Sequence, residues 1–154
     1  MAEEKITNKK GTKVYVSAVG RRREAVARVR LYAKLPDNLK FGEVTLKKGD
    51  LVVNGRAIKE YFGGEVARAR YELPFKITDS LNKFSATIRV HGGGTSSQLD
   101  AAVMGIARAF SELDASLRPL LKKQGLLTRD QRARERRKVG MGGKSRRKKQ
   151  SPKR

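Results

Sequence analysis

FSATIRVHGGGTSSQLDAAVMGIARAF, residues 84–110, changes its apolar period across three glycines. Before them, Phe84, Ala86, Ile88 and Val90 alternate with Ser85, Thr87, Arg89 and His91, the period-two spacing of a strand with one buried face. After them, Leu99, Ala102, Val103, Ile106, Ala107 and Phe110 recur at i, i+3, i+4, i+7, i+8 and i+11, which predicts a helix with one apolar stripe. Thr95 and Gln98 have the spacing of a capping box at its start. Ala101, Ala102, Gly105, Ala107 and Ala109 are small enough for the helix backbone to lie close against a sheet.

Working outward, Val14, Val16 and Ala18 alternate with Tyr15, Ser17 and Val19, and alternation resumes at Ala25, Ala27, Val29 and Leu31. This predicts a β-hairpin closed by a short turn holding Gly20 and three arginines. The second strand places Val26, Arg28, Arg30 and Tyr32 on its other face, which is therefore cationic. Residues 35–49 read as a long loop with a short strand at 43–46, and 51–53 as a strand closing at Asn54-Gly55. Residues 56–62 and 66–73 read as short helices, the second stopped by Pro74. Residues 116–124 form a last short helix with Pro119 in its first turn and Gly125 as its stop. Thr128 and Gln131 repeat the capping-box spacing, so a helical turn is expected there. The order predicts an α+β domain: a two-layer sandwich, its mostly antiparallel sheet covered by helices on one face. The chain divides into a disordered segment 1–13, a globular domain 14–128 and an extended basic arm 129–154.

That arm holds thirteen basic residues against Asp130 and Glu135, a net +11 and half of the formal net charge of +22. From Gly140 onward it has no large aliphatic or aromatic residue, so it is expected to be disordered alone and ordered by a polyanion. Residues 1–128 carry a further net +11, which makes nucleic acid the expected partner. Arg21, Arg22 and Arg23 offer planar guanidiniums that match phosphate oxygens. Gly92, Gly93 and Gly94 precede a helix N-terminus, where unpaired backbone N–H groups and the helix dipole favour an anion. With Arg28 and Arg30 of the hairpin, Arg118, Lys122 and Lys123 of the last helix, and Arg129, Arg132, Arg136, Arg137, Lys138, Lys144, Arg146, Arg147, Lys148 and Lys149 of the arm, these are the candidate RNA-binding residues.

Catalysis is not expected. There is no cysteine, His91 is the single histidine, and Glu24, Glu43, Glu60, Glu65 and Glu72 show no paired acid–base spacing. No metal or cofactor is expected from this set. Five Phe, four Tyr and no Trp also argue against a surface built to stack single-stranded bases. With no apolar run of 18 residues, no membrane span is expected, and the cytosol is the expected compartment.

Gly92-Gly93-Gly94, Ser97, Gln98, Ala101, Gly105, Ala107, Arg108, Ala109 and Phe110 resemble the signature of the universal S-nine family of small-subunit ribosomal proteins, in its bacterial form. Residues 18–29 are similar to that family's amino-terminal motif, Asn54-Gly55-Arg56 with Tyr61-Phe62 to its middle, and 117–130 to its carboxyl-terminal third. The resemblance spans about residues 14–154. It implies a left-handed βαβ crossover, against the usual right-handed rule. It implies a place in the head of the small subunit, bound to the 3′ major domain of its ribosomal RNA beside other head proteins. It implies an arm that reaches peptidyl-site transfer RNA, with Lys153 and Arg154 at the contact. The chain departs from the family pattern in its longer 35–49 connection and in Lys148-Lys149-Gln150-Ser151-Pro152, which lacks an aromatic residue. Two other readings are weaker. A free-standing RNA chaperone fits the charge alone. The Gly-Gly-Gly-Thr-Ser-Ser loop is similar to the phosphate loop of small-molecule kinases of the galactokinase type, but there is no room for a substrate domain.

Overall fold

The computed structural model describes residues 15–35, 39–42 and 44–136. Its first hairpin pairs β1 (Val16–Arg22) with β2 (Ala25–Tyr32). Two short ribbons follow, β3 (Lys40–Phe41) with β4 (Val44–Thr45) and β5 (Leu51–Val53) with β6 (Arg56–Ala57). Then come α1 (Ile58–Tyr61), α2 (Glu65–Ile77), β7 (Ser85–His91), α3 (Thr95–Leu113), a 3-10 turn at Ala115–Leu117 and α4 (Arg118–Lys123). The main sheet has the order β1-β2-β7-β5-β6 and is antiparallel except where β5 lies parallel to β7. That parallel pair, joined through α1 and α2, is the βαβ unit, and the expected α+β sandwich is what forms. Among the described residues no helix is long and apolar enough to cross a membrane.

Alternation decides which face of the sheet is covered. Ala18, Gly20, Ala25, Ala27, Val29, Leu31, Ala86, Ile88 and Val90 are buried beneath α3, whose Ala101, Ala102, Ile106 and Phe110 complete the core. Phe75 and Phe84 pack edge-on against Phe110, with ring centroids 5.2 and 5.4 Å away. The small residues act as expected. A Cβ on Gly20 would lie 1.9 Å from the Ala101 carbonyl oxygen, and one on Gly105 would lie 2.6 Å from a Val29 methyl.

Several local expectations are corrected. Gly20 is a strand residue paired with Ala27, and the hairpin turn is Arg23-Glu24, with Arg23 at φ 52°. Only 58–61 of the expected 56–62 helix is helical, because Arg56 and Ala57 pair with β5. Helix α2 does not stop at Pro74 but runs on to Ile77. Tyr71, Pro74 and Phe75 form one buried face, so tertiary packing offsets the missing N–H, and the Thr78 hydroxyl donates to the Pro74 carbonyl at 2.9 Å at the helix end. Thr95 makes no cap; the cap residue is Gly94, and the Gln98 side chain donates to the Gly92 carbonyl instead. Residues 128–131 form no helical turn; the Asp130 carboxylate accepts from the Arg132 N–H at 3.0 Å, a local bond that competes with helix.

The 35–49 connection has a structural task. Leu39 and Leu46 join Tyr32 and Val52 in a second, smaller cluster against which Leu35, Phe41 and Val44 pack. It covers part of the sheet face that the helices leave open.

Candidate nucleic-acid interface

Two stretches far apart in sequence, the arginine turn and the glycine loop, are neighbours in space. Gly92 and Gly93 have φ of 72° and 62°, and a Cβ on Gly92 would lie 2.5 Å from the Glu24 carbonyl oxygen. Only glycine allows both the left-handed backbone and this approach. The loop therefore passes directly under the hairpin turn and leads into the N-terminus of α3, whose first turn holds no acidic residue.

A polar relay holds the loop in place. Asn54, at φ 49°, donates from Nδ2 to the Val90 carbonyl at 2.9 Å and accepts the Val90 N–H at 3.0 Å, so its amide stands in for one more rung of strand pairing. The Tyr61 hydroxyl donates to Gln98 Oε1 at 2.9 Å, and Gln98 Nε2 donates to the Gly92 carbonyl at 3.1 Å. Asn54→Ala is expected to destabilise the fold by about 2–3 kcal/mol, because it orphans the Val90 N–H and places a Cβ-bearing residue without a local hydrogen bond at positive φ. Denaturant unfolding checks this; a loss below about 0.5 kcal/mol would remove the strand-mimic role.

On the sheet face opposite α3, the register sets Arg28 directly across from Arg89 and Arg30 across from Thr87. These four with Phe41 line one shallow recess. The Arg30 guanidinium lies 4.9 Å from the Tyr15 ring centroid and that of Arg89 5.5 Å from Phe41. Arg89 was not among the residues nominated from sequence. It alternates visibly on the polar face of its strand, but its position beside Arg28 follows only from the pairing register.

The other nominated residues separate into four groups. Arg21 and Arg23 are exposed at the hairpin, and Arg118, Lys122 and Lys123 are exposed on or beside α4. Arg22 turns toward the protein. It donates to the Arg132 carbonyl at 3.1 Å, meets the Asp130 carboxylate at 2.9 Å and approaches Asp100 at 3.7 Å, and its side chain keeps 16% exposure. Asp100 also holds Arg70 at 3.1 Å. Arg129, Arg132 and Arg136 are exposed along the root of the arm. Arg137, Lys138, Lys144, Arg146, Arg147, Lys148, Lys149, Lys153 and Arg154 lie outside the described residues.

Hydrogen bonds from Arg132, first from its side chain and then from its backbone, with the nearby Arg132 and Arg22 charges, hold the Asp130 carboxyl well below the usual carboxylate range. Its folded value is lowered, so its contribution is present above the unfolded value of about 3.9 and is lost only as pH falls through the lower one. Asp130 therefore meets Arg22 as a carboxylate at neutral pH.

The family described as ribosomal protein S9/S16 matches residues 20–154. A small ribosomal subunit protein uS9 of Anaeromyxobacter sp. (strain K) is 43% identical over 125 residues, which cover 81% of this chain and 86% of the relative. The protein of the same name from Anaeromyxobacter dehalogenans (strain 2CP-1) matches with the same identity and coverage. With a match that runs from the end of β1 through β2, the glycine loop, α3 and the arm, the chain belongs to the ribosomal protein S9/S16 family.

Proposed function

We propose that this protein binds the 3′ major domain of small-subunit ribosomal RNA, in the subunit head, and that its arm reaches peptidyl-site transfer RNA through Lys153 and Arg154. Family membership makes it a constituent of the small ribosomal subunit, at work in the cytoplasmic ribosome. The RNA contacts are our reading. The observation that carries it is the juxtaposition of the glycine loop, at the N-terminus of α3, with the hairpin turn flanked by the exposed Arg21 and Arg23, in a chain that continues into a +11 arm. Backbone N–H groups and guanidiniums so placed suit phosphate oxygens and carry little base information, which fits recognition of a folded RNA by its backbone.

In this division of labour, residues 14–128 dock on RNA and neighbouring head proteins, and residues 129–154 thread through RNA. No part is assigned a catalytic step. Deleting Lys153 and Arg154 is expected to weaken peptidyl-site transfer-RNA binding by reconstituted small subunits about 3- to 10-fold, the effect of losing one or two charge-assisted contacts, while assembly is unchanged. Filter binding of transfer RNA to the subunits measures it. Loss of assembly, or unchanged transfer-RNA affinity, would refute the assignment of the contact to these two residues.

A further inference from the structure

Asp130 is an anomaly in the arm. It is one of two acidic residues among thirteen basic ones, so it opposes the attraction to RNA that the rest of the segment supplies. Its partner is also out of place. Arg22 sits between the exposed Arg21 and Arg23, yet its donors turn inward to the Asp130 carboxylate at 2.9 Å and the Arg132 carbonyl at 3.1 Å. An isolated surface ion pair would mean little. Here the guanidinium grips a side chain and a backbone carbonyl together, across a sequence separation of 110 residues at the carbonyl. It therefore fixes the path of the chain as well as a charge.

The chain between is already anchored at its other end. Leu121 is fully buried, and Leu126 and Leu127 pack on the main core after Gly125 reverses the chain. Residues 125–132 thus form a strap, tied to the core at Leu126 and to the hairpin at Asp130. A cavity of about 340 Å³ lies beside it, lined by Arg22, Asp100, Val103, Met104, Leu126 and Asp130 among others.

We propose that Arg22 and Asp130 are a latch that fixes the root of the arm against the hairpin and so sets the direction in which residues beyond 132 leave the folded domain. Asp130 is then a positioning residue for the arm's RNA contacts, touching no RNA itself. The consequence for RNA rests on the function proposed above; the latch does not.

The test has two parts. In the isolated full chain, Arg22→Gln leaves the arm sequence intact and is expected to speed tryptic cleavage after Arg132 about tenfold, since cleavage follows the open population. An unchanged rate would overturn the latch, provided the unfolding midpoint shows the domain folded. For direction, the absence of cysteine allows a Ser151→Cys chain to carry one tethered hydroxyl-radical source. Bound to the 3′ major domain, this chain should cut RNA at one confined locus, and adding Asp130→Asn should scatter the cuts. Asp130→Asn raises the net charge, so electrostatics alone predicts tighter binding with the same pattern; that result would overturn the positioning role. Diffuse cutting by the Ser151→Cys chain itself would count against the function proposed above, with the tryptic rates still judging the latch.

Discussion

Removing residues 129–154 is expected to lower affinity for the 3′ major domain on the order of a thousandfold at 0.1 M salt. The segment takes away half of the formal net charge, thirteen cations against two anions. If it neutralises about 8 phosphates, the log–log dependence of affinity on salt should flatten by about 6–7 in slope, because the counterions those phosphates release are no longer released. The shortened chain should stay folded, since Leu121, Leu126 and Leu127, the last of the described residues packed on the main core, all remain. Circular dichroism checks the fold, and binding titrations at several salt concentrations give the slope. A slope that changes by less than about 2 would mean that the folded domain, and not the arm, supplies the electrostatic affinity.

Gly20→Ala is expected to be the most damaging single methyl in the fold, at about 3–5 kcal/mol. The added Cβ would lie 1.9 Å from the Ala101 carbonyl oxygen and 2.5 Å from the Gly105 nitrogen, and both are backbone atoms of α3. A flexible side chain could swing aside, but a 19-residue helix seated on the sheet cannot move without opening the core beneath it. Gly63 is the control, because a Cβ there meets nothing within 4 Å. Equilibrium unfolding in denaturant should show Gly63→Ala within about 1 kcal/mol of the parent. A Gly20→Ala loss below about 1 kcal/mol would mean that α3 does not rest backbone to backbone on β1.

Where a residue's role depends on near neighbours, the amino-acid pattern was enough to read it. The β1–β2 hairpin, β7 and α3 follow from periods of two and 3.6, and the Pro119 start and Gly125 stop of α4 follow from local backbone chemistry. Gly20 is a glycine because of the α3 backbone at Ala101, 81 residues away, and not because of a turn. Pro74 was misread as a stop because its propensity is local while the burial of Tyr71 and Phe75 that overrides it is not. Gln98 has a capping partner's spacing but bonds Tyr61 and Gly92, a choice that depends on where α1 lies.

The candidate interface was legible as a set of charges but not as an arrangement. Arg21, Arg22 and Arg23 look equivalent in sequence, yet Arg22 alone is drawn to Asp130, whose pairing across more than 100 residues no local pattern encodes. Arg28 was nominated and Arg89 was not, although the strand register makes them direct neighbours. The proximity of the glycine loop to the arginine turn likewise emerges only when β7 takes its place beside β2.

The central claim is that the chain is a structural constituent of the small subunit that works bound to its RNA. Quantitative mass spectrometry of small subunits, purified without a high-salt wash from cells that express the protein, tests it most directly. One copy per subunit is the predicted result. Subunits that lack the protein, with the chain recovered on many RNAs outside ribosomes, would contradict the claim and favour a free-standing RNA chaperone.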